Sequence, residues 1–148
     1  MQRLIALLGW LSFVVWLLSS PGCGGLEDGW RLDGIPEEPV QAALDEWCSV
    51  GYCDALNPNG VDLIQIDDSQ EVVQWLGIHE TRADGEAHRI LVSSEVPTEQ
   101  LRVLLLHELG HHFRGGGHLP PGNVMAHYLA DASEHLTELD ISGEYWEK

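Results

Sequence analysis

The hydrophobic pattern divides the chain before any single residue is considered. Residues 4–18, LIALLGWLSFVVWLL, form one unbroken apolar run. From residue 36 onward, apolar and polar positions recur with readable periods. In PEEPVQAALDEWC, residues 36–48, Val40, Ala43, Leu44 and Trp47 fall on one helical face behind a start crowded with proline and acid, which predicts a first helix. NPNG at 57–60 marks a turn. VDLIQID, 61–67, predicts a strand whose apolar content is Val61, Leu63, Ile64 and Ile66. EVVQWLGIHE, 71–80, fits either period, and its β-branched and aromatic content favours a strand. Asp84–Gly85 marks a turn, and a strand follows over 87–92. The central helix is expected from Pro97 to Phe113; it is apolar on nearly every face and therefore buried. Gly115, Gly116 and Gly117 stop it. A last helix is expected over ASEHLTELDISGEYW, 132–146, with a break at Gly143. Helix, strands, buried helix, irregular loop and helix make an α+β layout.

The opening apolar run changes the domain count. One basic residue, Arg3, precedes it, and SSPGCGG follows. At about 15 residues it is short for a membrane span of about 20, and it has the three-part layout of a secretory signal over residues 1–22. A retained anchor is the alternative. Cys23, directly after the run, resembles the cysteine of a bacterial lipoprotein signal, which would make it the lipidated first residue. Ser20 stands where that signal favours an apolar residue, so a plain secreted protein with a leftover cysteine is the competing reading. Residues 23–35, rich in glycine and acid, suit a flexible tether, and 36–148 suffice for one domain with one core. In an oxidising compartment Cys48 and Cys53 are a candidate disulfide. The formal charge of -17 disfavours nucleic acid and anionic lipid heads as partners. The acids are spread along the chain, as on a solvated surface, with affinity for cations or cationic substrates a second reading.

The chemistry lies in HELGHHFRGGGH, residues 107–118. His107 and His111 are one helical turn apart on one face, where two imidazoles can share a Zn²⁺ ion. Glu108 lies about 100° round the helix from His107, within reach of a metal-bound water without being a ligand. The spacing H-E-x-x-H is thus a chemical requirement, and the bland alternative of two structural histidines leaves polar groups buried in a run of leucines. His118 is the candidate third ligand. His127 and the acids Asp131, Glu134 and Glu138 compete with it, and a glutamate ligand from a later helix would make the site gluzincin-like. His112 points to another face and is a poor ligand for this ion. His79 and His88 are expected on a hairpin surface as exposed histidines; a second metal there is the less favoured alternative.

These residues resemble the metzincin metallopeptidases, and within them the matrixin-like group, whose motif is H-E-x-x-H-x-x-G-x-x-H followed by a turn containing methionine. His107, Glu108 and His111 match. The motif's glycine and third histidine would fall at Arg114 and Gly117; Gly115 and His118 each come one place later. PGNVM, 121–125, is similar to the matrixin segment leading to the Met-turn, with Met125 as the turn methionine. Met125 follows His107 by 18 residues, as in matrixins, so the register returns after the shifted loop. LTELDISGEYW is similar to the matrixin C-terminal helix, with Asp140 hydrogen-bonding beneath the active-site helix. The resemblance covers residues 86–147. It implies a small zincin-like domain, a mixed β-sheet packed on helices, with a buried active-site helix.

The expected function is a zinc endopeptidase outside a bacterial cell, either lipid-anchored in the envelope or secreted, and monomeric. One catalytic Zn²⁺ sits on His107, His111 and His118, with no indication of structural Ca²⁺. A metal-bound water activated by Glu108 attacks a peptide carbonyl of a protein or peptide substrate. The strand at 87–92 is the expected edge that binds substrate by strand addition. No inhibitory pro-domain or cysteine switch is expected. The alternative is a non-catalytic zinc-binding envelope lipoprotein or binding module.

Overall fold

The computed structural model describes residues 30–52, 62–81 and 88–142. Their elements run β1 (Trp30–Asp33), α1 (Glu37–Ser49), β2 (Asp62–Ile66), α2 (Gln70–Trp75), β3 (Gly77–Thr81), β4 (His88–Val92), α3 (Thr98–Arg114), a 3₁₀ turn (Leu129–Asp131) and α4 (Glu138–Ser142). The four strands form one mixed sheet in the order β1-β2-β4-β3. β1 and β4 both pair with β2 in parallel, and β3 pairs with β4 antiparallel. The fold is therefore α+β, with helices packed on a mixed sheet.

The helices form where the pattern places their apolar faces. In α1, Val40, Ala43, Leu44 and Trp47 are buried, and Glu37 and Glu38 sit in the first turn at the positive end of the helix dipole. The helix packs along α3, and the Trp47 indole N–H donates to the Leu106 carbonyl at 2.9 Å. α3 is the long buried helix expected from its leucines. Leu104, Leu105, Leu106 and Leu109 join Ile64, Ile90, Val92, Val124 and Met125 in one core. Gly115, with φ of 88°, ends the helix in a conformation that glycine alone adopts without strain.

Four expectations change. Residues 71–80 do not make one strand: Gln70–Trp75 is helical, and the strand begins at Gly77. The Asp67 carboxylate accepts a bond from the Ser69 amide at 2.8 Å, a turn that launches the helix, and Leu76 at φ 67° ends it. Within the segment expected as a tether, 23–35, Trp30–Asp33 adds to the sheet as a strand and buries Trp30. β4 is not an edge strand; it lies between β2 and β3, and β3 forms that edge. The last helix covers only Glu138–Ser142 of the described residues, and the segment ahead of it is irregular.

Cys48 is buried and disulfide-bonded; Cys53, its expected partner, lies outside the described residues. The signal over 1–22, Cys23, and the turns at 57–60 and Asp84–Gly85 lie outside them too. Among the described residues, no helix is long and apolar enough to cross a membrane.

Candidate metal centre

α3 presents His107 and His111 on one face, one turn apart, toward a cleft of about 560 Å³. β3 and the chain after α3 also line the cleft. The Nε2 atoms of the two rings stand 3.1 Å apart. Each ring turns its other nitrogen to a backbone carbonyl: His107 Nδ1 donates to Val124 at 2.9 Å and His111 Nδ1 to Gly115 at 3.3 Å. A carbonyl only accepts, so both Nδ1 atoms carry the proton and both Nε2 atoms carry lone pairs. Two lone pairs facing each other repel unless a cation lies between them. Tetrahedral Zn²⁺ at its usual bond lengths separates two such nitrogens by about 3.3 Å, so the pair fits a metal ion.

The glycine loop after α3 brings His118 to the pair. Gly115 and Gly117 both adopt positive φ, 88° and 128°, and turn the chain back on itself after the helix. The His118 ring comes to 5.3 Å from that of His107 and 5.1 Å from that of His111, centroid to centroid. One ligand atom from each of His107, His111 and His118 lies within 4.8 Å of the others. Of the competitors, His127 packs edge-on against His118, with ring centroids 4.7 Å apart. Asp131, Glu134 and Glu138 are exposed and join no metal-sized group among the described residues.

The electrostatics keep the rings neutral. Burial lowers the pKa of His107 to about 4, helped by the neighbouring charge of His111. Burial also lowers His111 and His118, with the His118 charge adding to the first and the His127 charge to the second. Neutral imidazole is the form that binds metal. Glu108, only 4% exposed, is raised by burial to about 8, against the opposing effect of the His79 backbone N–H that donates to it. A dication within a few ångströms favours the ionised carboxylate and pulls that value back down.

Beneath the histidines, residues 119–126 fold under the helix. Met125 is fully buried, with its sulfur beneath Gly110, where a Cβ would overlap it. Leu119 N–H donates to the Met125 carbonyl at 2.7 Å, closing the turn. Asp140, fully buried at the start of α4, accepts bonds from the Val124 and Met125 amides at 3.1 and 3.0 Å. It also accepts from the Thr137 amide at 2.8 Å and the Thr137 hydroxyl at 2.7 Å. The Val124 carbonyl orients His107, so Asp140 fixes the segment that fixes a candidate ligand. Tyr128 is exposed and packs edge-on against His127.

Two features of the site are not evident from the motif. The His79 main chain positions Glu108, and Gly77 leaves the space that the Glu108 carboxylate fills, since a Cβ there would lie 2.8 Å from Oε1. His79 and His88 are half-buried on the helix-facing side of the sheet and meet His112, which corrects the expectation of surface histidines. A signal for this was present. His88 shares strand parity with Ile90 and Val92, which are fully buried, so its side chain points inward with theirs. No protein-family model, curated protein or solved structure matches the chain.

Proposed function

We propose that this chain is a zinc-dependent endopeptidase of the metzincin type, with His107, His111 and His118 as the metal ligands and Glu108 as the general base. The observation that carries the reading is the pair of Nε2 atoms 3.1 Å apart, with both Nδ1 atoms turned to backbone carbonyls, beside a buried carboxylate. A purely structural three-histidine site has no use for that carboxylate. When bound, zinc supplies Lewis acidity, which acidifies water and polarises a carbonyl. Glu108 takes the proton of the attacking water and returns it to the departing amine. The His79 N–H holds the carboxylate in place. The outer edge of β3, unpaired among the described residues, borders the cleft and, apart from the His79 N–H that Glu108 takes, offers main-chain donors and acceptors to an extended peptide, in place of the strand at 87–92. The amino-terminal apolar run and Cys23 support a location outside the cytoplasm, on or released from a bacterial envelope.

The test is Glu108→Gln in the full chain, with zinc content and cleavage of a quenched-fluorescent peptide library measured together. The expected result is unchanged zinc and a fall in cleavage of at least about 100-fold, the scale of a lost general base. Undiminished cleavage in the variant would refute the mechanism. Zinc binding without cleavage in the wild type would leave the non-catalytic binding module as the reading.

A further inference from the structure

Outside the centre just described, three more histidines converge. His79 comes from β3, His88 from β4 and His112 from α3, and one ligand atom from each lies within 4.8 Å of the others. His79 pairs in register with Ile90, and His88 with Thr81, so the two histidines are diagonal neighbours on one sheet face. That face looks toward α3, since Gly77, of the same parity, abuts Glu108 and Leu104. His79 Nε2 and His88 Nδ1 are 2.9 Å apart. The His112 ring meets that of His88 edge-on at 4.2 Å and that of His79 at 5.9 Å. Trp30 closes over His112 with ring centroids 5.3 Å apart, and both His112 nitrogens are shielded from solvent. The group shares no residue with the first centre; its nearest approach among the ring pairs is His79 to His111, at 6.4 Å between centroids.

We propose that His79, His88 and His112 hold a second Zn²⁺ ion, which fastens the cleft's edge strand to the helix that carries Glu108. An all-imidazole donor set suits zinc and its borderline neighbours and excludes Ca²⁺ and Mg²⁺, which take oxygen. The placement makes sense of an otherwise poor packing choice. Ile90 and Val92 fill the same face, and an apolar residue at 79 or 88 would pack there without burying ring nitrogens. An ion on the His79 ring also immobilises the residue whose main-chain N–H holds Glu108. The site stands on its own donors and does not depend on the peptidase reading.

The experiment is metal stoichiometry by elemental analysis on the full chain after zinc loading and desalting, beside His88→Gln, His118→Gln and the double variant. Two zinc ions are expected in the wild type, one in each single variant and none in the double. A wild type with one zinc, lost in His118→Gln and kept in His88→Gln, would overturn the second site and leave the first intact. Two ions retained in His88→Gln would overturn it as well. Should that variant not fold, histidine modification by diethyl pyrocarbonate, mapped by mass spectrometry on the wild type, decides the matter. Zinc beyond the first equivalent should protect His79 and His88, and unchanged modification of both would refute the site.

Discussion

Asp140→Asn is the perturbation that best separates the architecture of the site from its chemistry. The Asp140 side chain touches no candidate ligand, yet its two oxygens accept four hydrogen bonds, from the amides of Val124, Met125 and Thr137 and from the Thr137 hydroxyl. Asparagine keeps one acceptor oxygen and puts an amide donor in place of the other. With the oxygen facing Thr137 and Val124, the new NH₂ group meets the Met125 N–H, donor against donor. Losing a charge-assisted bond costs roughly 1.5–3 kcal/mol, and a buried unpaired donor about 1–3 kcal/mol. Relief from burying a charge returns part of this. A net loss of about 2–4 kcal/mol follows, or about 8–16 °C in Tm at roughly 4 °C per kcal/mol for a domain near this size. Zinc affinity should fall as well. The His107 Nδ1–H bond ends on Val124, and loosening such outer partners typically weakens metal binding about 10–100-fold. Thermal melts of the metal-free chain and competition with a fluorescent chelator would measure the two effects separately. A variant that melts within about 2 °C of wild type and binds zinc within about threefold of it would refute the idea that Asp140 clamps the turn. A large loss of stability with unaltered zinc affinity would break the link from Asp140 through Val124 to His107.

Two further predictions concern pH and packing. In the metal-free protein, His107 at about 4 and His79 at about 3 lie below the ordinary histidine value of 6.5. The unfolded chain therefore binds more protons over that range, and stability rises with pH from about 4 to 6.5. Glu108, raised from 4.5 to about 8, acts in the opposite sense: its contribution is present below 4.5 and is lost as pH climbs toward 8. Urea midpoints in chelator should thus peak near pH 6.5, and Glu108→Gln should flatten the fall between about 6.5 and 8; a fall of unchanged steepness in the variant would contradict the burial argument. Gly110→Ala would drive a methyl into the Met125 sulfur and to 3.1 Å from the Trp47 ring, so a loss of about 1–3 kcal/mol is expected in denaturant melts. A neutral outcome would mean that Met125 does not pack where the fold places it.

The four-residue spacing of His107 and His111, with Glu108 between, follows from helical geometry and was legible in the sequence. So were the burial of α3, from leucines on every face, and the apolar stripe of α1. Each is local, set by a period of 3.6 residues or by a short turn. Other features were not local. EVVQWLGIHE reads as β-rich, yet a buried Val72, the Asp67–Ser69 turn and the left-handed Leu76 make its first half helical. Which strand forms an edge depends on lateral order, and β4 slots between β2 and β3 through contacts that no single strand encodes. The shifted His118 left the metal ligand open in sequence, because the count in the motif is off by one. Only the positive φ at Gly115 and Gly117 shows how the loop turns the His118 ring back toward His107 and His111. The meeting of His79, His88 and His112 needs a hairpin laid against a helix, so it exists only once the sheet and α3 have packed. The sequence by itself determined the chemical groups and their helical register; the tertiary structure decided which of them share a cleft, because distances between separate elements are set by packing and not by spacing along the chain.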